Sequence, residues 1–265
     1  MARTLMGVYA HPDDESTCAG GVIAMHADRG VRVVVVTCTG GEFGDGPGGV
    51  KPGSPGHDPA AVAEIRRAEL DAACEVLGVS VVERLGYHDS GMPGWDRFAR
   101  EPVFSRVPVE SVAAKLAALL DRYRPDVVIT HNPDASHEHV DHRHAASAAA
   151  LAVEISPFPV NLYFSAHGLR HWQHLRNALN VAGFRHSDAD AQRIRVLTEI
   201  DSRITHRIGI TGLVQRKRAA LRCHESQLGS SLAARLSADQ YADVFRSEAF
   251  IRASGGSQGR ELFMS

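Results

Sequence analysis

The sequence predicts an α/β fold: a doubly wound, Rossmann-like, mostly parallel sheet with helices on both faces and its polar site at the C-terminal ends of the strands. Three observations predict it. Short apolar runs alternate with helical patterns along the 265 residues, a strand–helix–strand repetition that builds parallel sheets with right-handed crossovers. "VRVVVVTCT" (31–39) is almost wholly apolar and β-branched, as a strand covered on both faces should be. The densest polar clusters follow these runs directly, and open α/β sheets bind ligands beyond the carboxyl ends of their strands.

The elements follow in order. "LMGVYA" (5–10) is the first strand, and a helix over roughly 17–29 closes at Gly30. After 31–39 comes a glycine- and proline-rich loop, "GGEFGDGPGGVKPGSPGHDP" (40–59), without the lysine context of a phosphate-cradling loop; it reads as a flap. "AAVAEIRRAELDAACEVLG" carries apolar residues at helical spacing and ends on Gly78, a helix-stop signal. "VSVVERLG" is the third strand, "VESVAAKLAALLDRY" the next helix and "DVVITH" (126–131) the fourth strand. "VNLYFSAH" and "RIRVLTEID" read as later strands, with the last helices near 212–228 and 237–250. No internal repeat or long linker divides the chain. It reads as one α/β domain, 1–265, with a core over 1–152 and C-terminal elements over 153–265 completing it.

Composition narrows the function classes. The chain is 44% hydrophobic and 23% charged with a formal net charge of −2, which argues against nucleic acid as a partner. The most basic stretch, "QRKRAALR" (215–222), reads as the exposed face of a helix. Cys18, Cys38, Cys74 and Cys223 are scattered without a CxxC pair, pointing to a reduced, cytoplasmic protein rather than a disulfide scaffold. "TLMGVYA" runs into His11 too soon for a signal peptide, and no apolar run reaches the roughly 18 residues of a membrane span. Homo-oligomerisation stays open.

Two clusters carry chemistry. "AHPDDE" (10–15) places His11, Asp13, Asp14 and Glu15 just past the first strand. "HNPDASHEHVDHRHA" (131–145), after the fourth, holds five histidines, two aspartates and a glutamate. Together they offer the imidazole and carboxylate ligands of a mononuclear divalent metal site. The second is not an HExxH helix, because His142 falls one position too far from His137–Glu138. "HVDH" (139–142) opening a helix is the better parse, with His139 and His142 three apart on one face. Alone, this patch also fits a solvated polar loop with a helix cap.

"AHPDDE" after strand one, "TGGExG" after strand two, "RxxEL" on the next helix and "HxDH" after strand four resemble the PIG-L/LmbE-like N-deacetylases. These are zinc-dependent amidases that commonly deacetylate N-acetylglucosamine conjugates. The resemblance covers about residues 4 to 152, then fades to "RKRAALRCHESQ" (216–227), similar to the family's late helix. It implies that His11, Asp14 and His142 bind the metal, Zn2+ with Fe2+ as the alternative, and that Asp13 is the general base. His139 would stand near the scissile carbonyl, protonated and oriented by Asp141, and Glu15 would be structural. Two departures are visible: Val140 replaces the usual proline of "HPDH", and His137 stands where a tyrosine is common. Arg66 in "RRAEL" and Asp89 in "GYHDSGMPGW" resemble the segments that hold substrate hydroxyls in the mycothiol-pathway branch, which acts on N-acetylglucosaminyl-inositol. Read without the resemblance, Arg66 is a surface ion pair with Glu69 or Asp71 and Asp89 a turn residue. His224 in "CHESQ" is either a site residue or part of a capped helix surface.

The expected substrate is therefore a small N-acetylated amino-sugar. Two other classes stay in play: a metal amidase acting on a thiol conjugate, glycopeptide or other N-acyl sugar, and a non-catalytic sugar- or nucleotide-binding module. The absence of a GxGxxG after strand one weighs against the last.

Overall fold

A computed structural model describes residues 3–92, 102–134, 139–184 and 189–253; His137 lies outside them. One seven-stranded sheet runs in the order β3-β2-β1-β4-β5-β7-β6. The strands are β1 Thr4–Tyr9, β2 Arg32–Thr39, β3 Val81–Tyr87, β4 Val127–Thr130, β5 Asn161–Ser165, β6 His206–Gly209 and β7 Ser247–Arg252. All neighbours pair in parallel except β7, which is antiparallel to both β5 and β6. The strand order reverses between β1 and β4, the switch point at which such sheets form their ligand crevice.

Strand residues alternate between two cores. Met6, Val8, Val34, Val36 and Val128 face the helices α3 (Val109–Tyr123) and α4 (Val140–Glu154). Leu5, Tyr9, Val33, Val35 and Ile129 face α1 (Asp14–Asp28), α2 (Pro59–Leu77) and α7 (Val214–Cys223). The uniform valine run of β2 is thus explained, since both of its faces are covered. On α4 the buried positions Ala145, Ala148, Ala149 and Ala152 form a small-residue face. Asp58 caps α2 through Ala60 N and Ala61 N, and Gly78 closes it at φ 79°, the left-handed conformation that glycine adopts without strain.

The C-terminal part departs from the expectation in three places. "RIRVLTEID" lies in α6 (Ala191–Arg203), not in a strand: Leu197 and Ile200 are buried three residues apart and Asp190 caps the helix through Arg193 N. The adjacent Val196–Leu197 pair already breaks the two-residue alternation a half-buried strand needs. Residues 237–250 divide into α8 (Ala238–Val244) and β7, whose inward series opens with the buried Glu248, a charge that hides the strand in a hydrophobicity profile. α5 (Leu169–Val181) and β6 were not anticipated. Among the described residues, no helix is long and apolar enough to cross a membrane.

Candidate metal centre and active site

β1 ends at Tyr9, and within five residues the chain turns into α1. His11 N donates to Asp14 Oδ2 (2.8 Å), closing the turn. Asp13 sits at φ 106°, ψ −23°, a conformation that strains a residue with a Cβ and that persists only where its surroundings hold it. They do: Asp13 N donates to Glu15 Oε2 (3.0 Å), and Arg66 donates to both Pro12 O and Asp13 Oδ2 (3.0 Å to the latter).

Asp14 is the centre of the cluster. Its Oδ1 lies 3.3 Å from His142 Nε2, and its Oδ2 lies 3.6 Å from His11 Nδ1 and 3.3 Å from His131 Nε2. Burial opposes its charge, but the His142 and His131 rings outweigh burial and hold the carboxyl well below the usual range. The ligand atoms of His11, Asp14 and His142 all fall within 4.8 Å of one another. The three expected ligands are brought together.

His11 is bracketed on its other side. Its Nε2 lies 3.3 Å from Asp141 Oδ2 and 3.4 Å from Asp89 Oδ1. Both carboxylates are fixed by backbone donors, Asp141 by Ser90 N (2.9 Å), Asp89 by Gly91 N (2.8 Å) and Phe43 N (3.2 Å). Asp141 was expected to orient His139, yet it is 3.9 Å from His139 Nδ1 and closer to His11. His139 also departs from the expected pose, because it is the N-cap of α4 and accepts from Asp141 N (3.2 Å) through Nδ1. The neutral ring then carries its proton on Nε2. Burial and the neighbouring His11 pull its pKa down to about 4, so it is neutral rather than protonated at neutral pH. Asp13 moves the other way: burial, partly offset by Arg66, pushes its carboxyl up.

Arg66 is neither a surface ion pair nor turned outward. It is buried, with its terminal nitrogens on Gly41 O (2.9 Å), Pro12 O and Asp13. Gly41, at φ 67°, has to be glycine, since a Cβ there would meet the Arg66 guanidinium at 2.2 Å. Asp89 is buried as well, but with Pro12, Glu42, His57, Arg67 and His88 it borders a cavity of about 820 Å³ between the 40–59 loop, α2 and β3.

Three neighbours of the cluster were missed, misread or left open. His131 stacks on His142 (4.0 Å between centroids, 6° between planes) and accepts from Ala10 N (3.1 Å); its position at the tip of β4 was the available signal. Lys217, read as helix surface, is 1% exposed. It donates to Thr17 O (2.8 Å) and to Glu248 Oε1 (2.6 Å), while Glu248 accepts from Gly21 N (2.9 Å) and Val22 N (2.8 Å). α1 is broken at Ala19 (φ −145°), and an unbroken helix would pair Gly21 N with Thr17 O. The buried Lys–Glu pair meets both groups instead. His224, fully buried, donates from Nε2 to Glu15 Oε1 (2.8 Å).

Comparison with known proteins identifies the family. Residues 6–153 match the PIG-L family, GlcNAc-PI de-N-acetylase. The chain is 34% identical over 235 residues to a 1D-myo-inositol 2-acetamido-2-deoxy-alpha-D-glucopyranoside deacetylase of Acidothermus cellulolyticus, covering 86% of this chain and 80% of that one. A deacetylase of the same name from Streptomyces scabiei is 32% identical, covering 99% and 90%. The N,N'-diacetylchitobiose deacetylase of Pyrococcus horikoshii superposes with a TM-score of 0.62 at 19% identity (95% and 84% covered). The 4-carboxy-2-hydroxymuconate hydratase of Pseudomonas putida does so at 0.60 and 20% (98% and 99% covered). A hydratase on the same scaffold shows that these structural likenesses establish the fold alone. The sequence relationships go further: the chain belongs to the PIG-L family and is an N-deacetylase.

Proposed function

We propose that this enzyme hydrolyses the acetamide of an N-acetylglucosaminyl-inositol-like sugar conjugate, using a divalent metal held by His11, Asp14 and His142. The observation that carries the reading is the donor set: two imidazoles and one carboxylate within 4.8 Å of one another beside the strained Asp13. Three protein ligands of this kind suit a catalytic site with an open position, with Zn2+ as the expected ion and Fe2+ as the alternative. Two other groups of donors compete less well. Asp89 and Asp141 already accept backbone N–H bonds and flank His11 Nε2, which is how carboxylates orient a metal-binding imidazole from behind. In the set Asp14, Cys18 and His131, His131 Nε2 already accepts Ala10 N.

The metal, when bound, polarises the amide carbonyl and lowers the pKa of water towards about 7. Asp13, adjacent to the ligand Asp14 and raised by burial, takes the proton of the attacking water and returns it to the departing amine. The water oxygen first adds to the carbonyl carbon, moving the C=O π electrons onto the carbonyl oxygen. As that C=O re-forms, the C–N bond breaks and nitrogen takes the proton from Asp13, giving acetate and the free amino-sugar. His139, neutral, donates from Nε2 to the oxygen that gains charge. Asp89 faces the 820 Å³ cavity, where a second ring of the conjugate fits and can be held by charge-assisted hydrogen bonds. Arg66 serves the substrate side by fixing Asp13 and the Gly41 turn. The whole of 1–265 acts as one domain in this reading, because Lys217, His224 and Glu248 complete the α1 turn. The names of the relatives support the substrate class.

Metal analysis of the purified protein, followed by amine release from N-acetylglucosaminyl-inositol and from simple N-acetylglucosamine glycosides, tests this. About one metal per chain and faster release from the inositol conjugate are expected. Release only from glycopeptide or thiol conjugates would keep the amidase and change its substrate.

A further inference from the structure

Asp13 holds an unfavourable backbone conformation, and its N–H is fixed by one oxygen of Glu15. A glutamate carboxylate rotates broadly about its last torsion, so one held oxygen fixes the other only if something grips the first. His224 is that grip, with Ser16 Oγ (2.5 Å) sharing the same Glu15 oxygen. His224 is itself anchored from two sides. Its backbone N–H bonds Leu221 O at the end of α7. Its neighbour Ser226 donates from N and Oγ to the two oxygens of Glu69 on α2 (2.7 Å each), and Gln227 brackets Asp45 N and O in the 40–59 loop. Meanwhile His224 Nδ1 is buried with no partner among the described residues, a cost that a residue chosen for packing alone would not carry.

From this geometry we infer that His224 is a positioning residue for the general base: through Glu15 it holds the Asp13 backbone in the pose that aims its carboxylate at the reacting water. The inference rests on Asp13 being the base. His224 touches no proposed metal ligand in the described contacts and does not line the cavity, so neither metal nor substrate binding should depend on it.

The test compares His224→Leu, which keeps bulk and removes the donor, with His224→Gln, which restores an N–H. Metal content, kcat and KM are measured for both, with Asp13→Asn alongside. His224→Leu should keep its metal and its KM within about threefold, and lose kcat by about 10- to 100-fold, the scale of a misaimed catalytic group. His224→Gln should recover most of that loss. The isosteric Glu15→Gln, a second route should His224→Leu not fold, should also keep metal and lose kcat by about tenfold. A normal kcat in His224→Leu or in Glu15→Gln overturns the inference, as does metal loss in His224→Leu or an equal kcat loss in both His224 variants. If Asp13→Asn is inactive while His224→Leu is normal, only the positioning role falls. If Asp13→Asn keeps its kcat, the base assignment falls and the positioning role with it.

Discussion

Ionisable residues crowd the strand tips around His11 and also lie buried in the C-terminal third around Lys217, with opposite fates. At the tips, Asp13 and His142 keep 28% and 21% of their side chains exposed, and the imidazoles and carboxylates converge without forming a closed set of pairs. Behind α1, Lys217, Glu248, His224 and Glu15 are buried and pair with one another or with the broken backbone of the helix. The first region leaves a partly exposed face where the proposed ligand would sit. The second consumes them to hold the first in shape. Charge at a strand end therefore means chemistry only where its partners leave a face open.

The largest effect expected from breaking this contrast is on the open side. His11→Ala or His142→Ala should lose most bound metal and nearly all amine release; near-stoichiometric metal in both would remove the proposed centre. On the closed side, Glu248→Gln leaves Lys217 buried without its counter-charge and weakens the bonds to Gly21 and Val22. Breaking a buried pair costs about 3–5 kcal/mol, so the melting temperature should fall by several degrees. An unchanged melting temperature would show that the α1 break supports itself.

A smaller effect separates Asp89 from Arg66. Asp89→Ala removes a carboxylate that flanks His11 as well as one that borders the cavity, so it should lower kcat/KM on both substrates. On the inositol conjugate the loss should be roughly 10- to 1000-fold, about 1.4–4 kcal/mol, more than on a minimal acetamide. Arg66→Ala acts through Asp13 and should cost both substrates alike. Equal losses for Asp89→Ala on the two substrates would place it with Arg66 as a shaping residue.

The smallest effect is on pH dependence. Burial lowers the His224 pKa, but Glu15, aided by Asp13 and opposed by Arg66, raises it above the ordinary value. A raised histidine stabilises the fold fully below its unfolded pKa of about 6.5, and that stabilisation fades as pH rises through the folded value. The metal-free protein should therefore lose melting temperature from about pH 6.5 upward relative to His224→Gln. Parallel profiles would show that the imidazole is not charged against Glu15.

The legibility of the two regions follows the same divide. β1, β2, β4, α2 and α3 were readable because their apolar periods are strong, and "AHPDDE" and "HVDH" were readable because functional charge is dense at strand ends. His11, Asp14, His139 and His142 do meet, with Asp13 held beside them by Arg66 and Glu15. The second role of a familiar residue was not readable: Asp141 turned from His139 to His11, and Arg66 from the pocket mouth to Asp13, because these choices depend on tertiary distances. Lys217 looked like surface because a buried ion pair, here with Glu248, has the same letters as an exposed one. β7 was hidden by that same Glu248, and α6 by an opening R-I-R-V that imitates a strand over four residues.

The division of labour between two adjacent carboxylates is the point on which everything turns, and metal content with kcat in Asp13→Asn and Asp14→Asn measures it directly. Asp13→Asn should retain about one metal per chain while kcat falls by roughly 10² or more, as for removing acid–base catalysis; Asp14→Asn should lose the metal. Metal loss in Asp13→Asn, with metal retained in Asp14→Asn, would contradict the account.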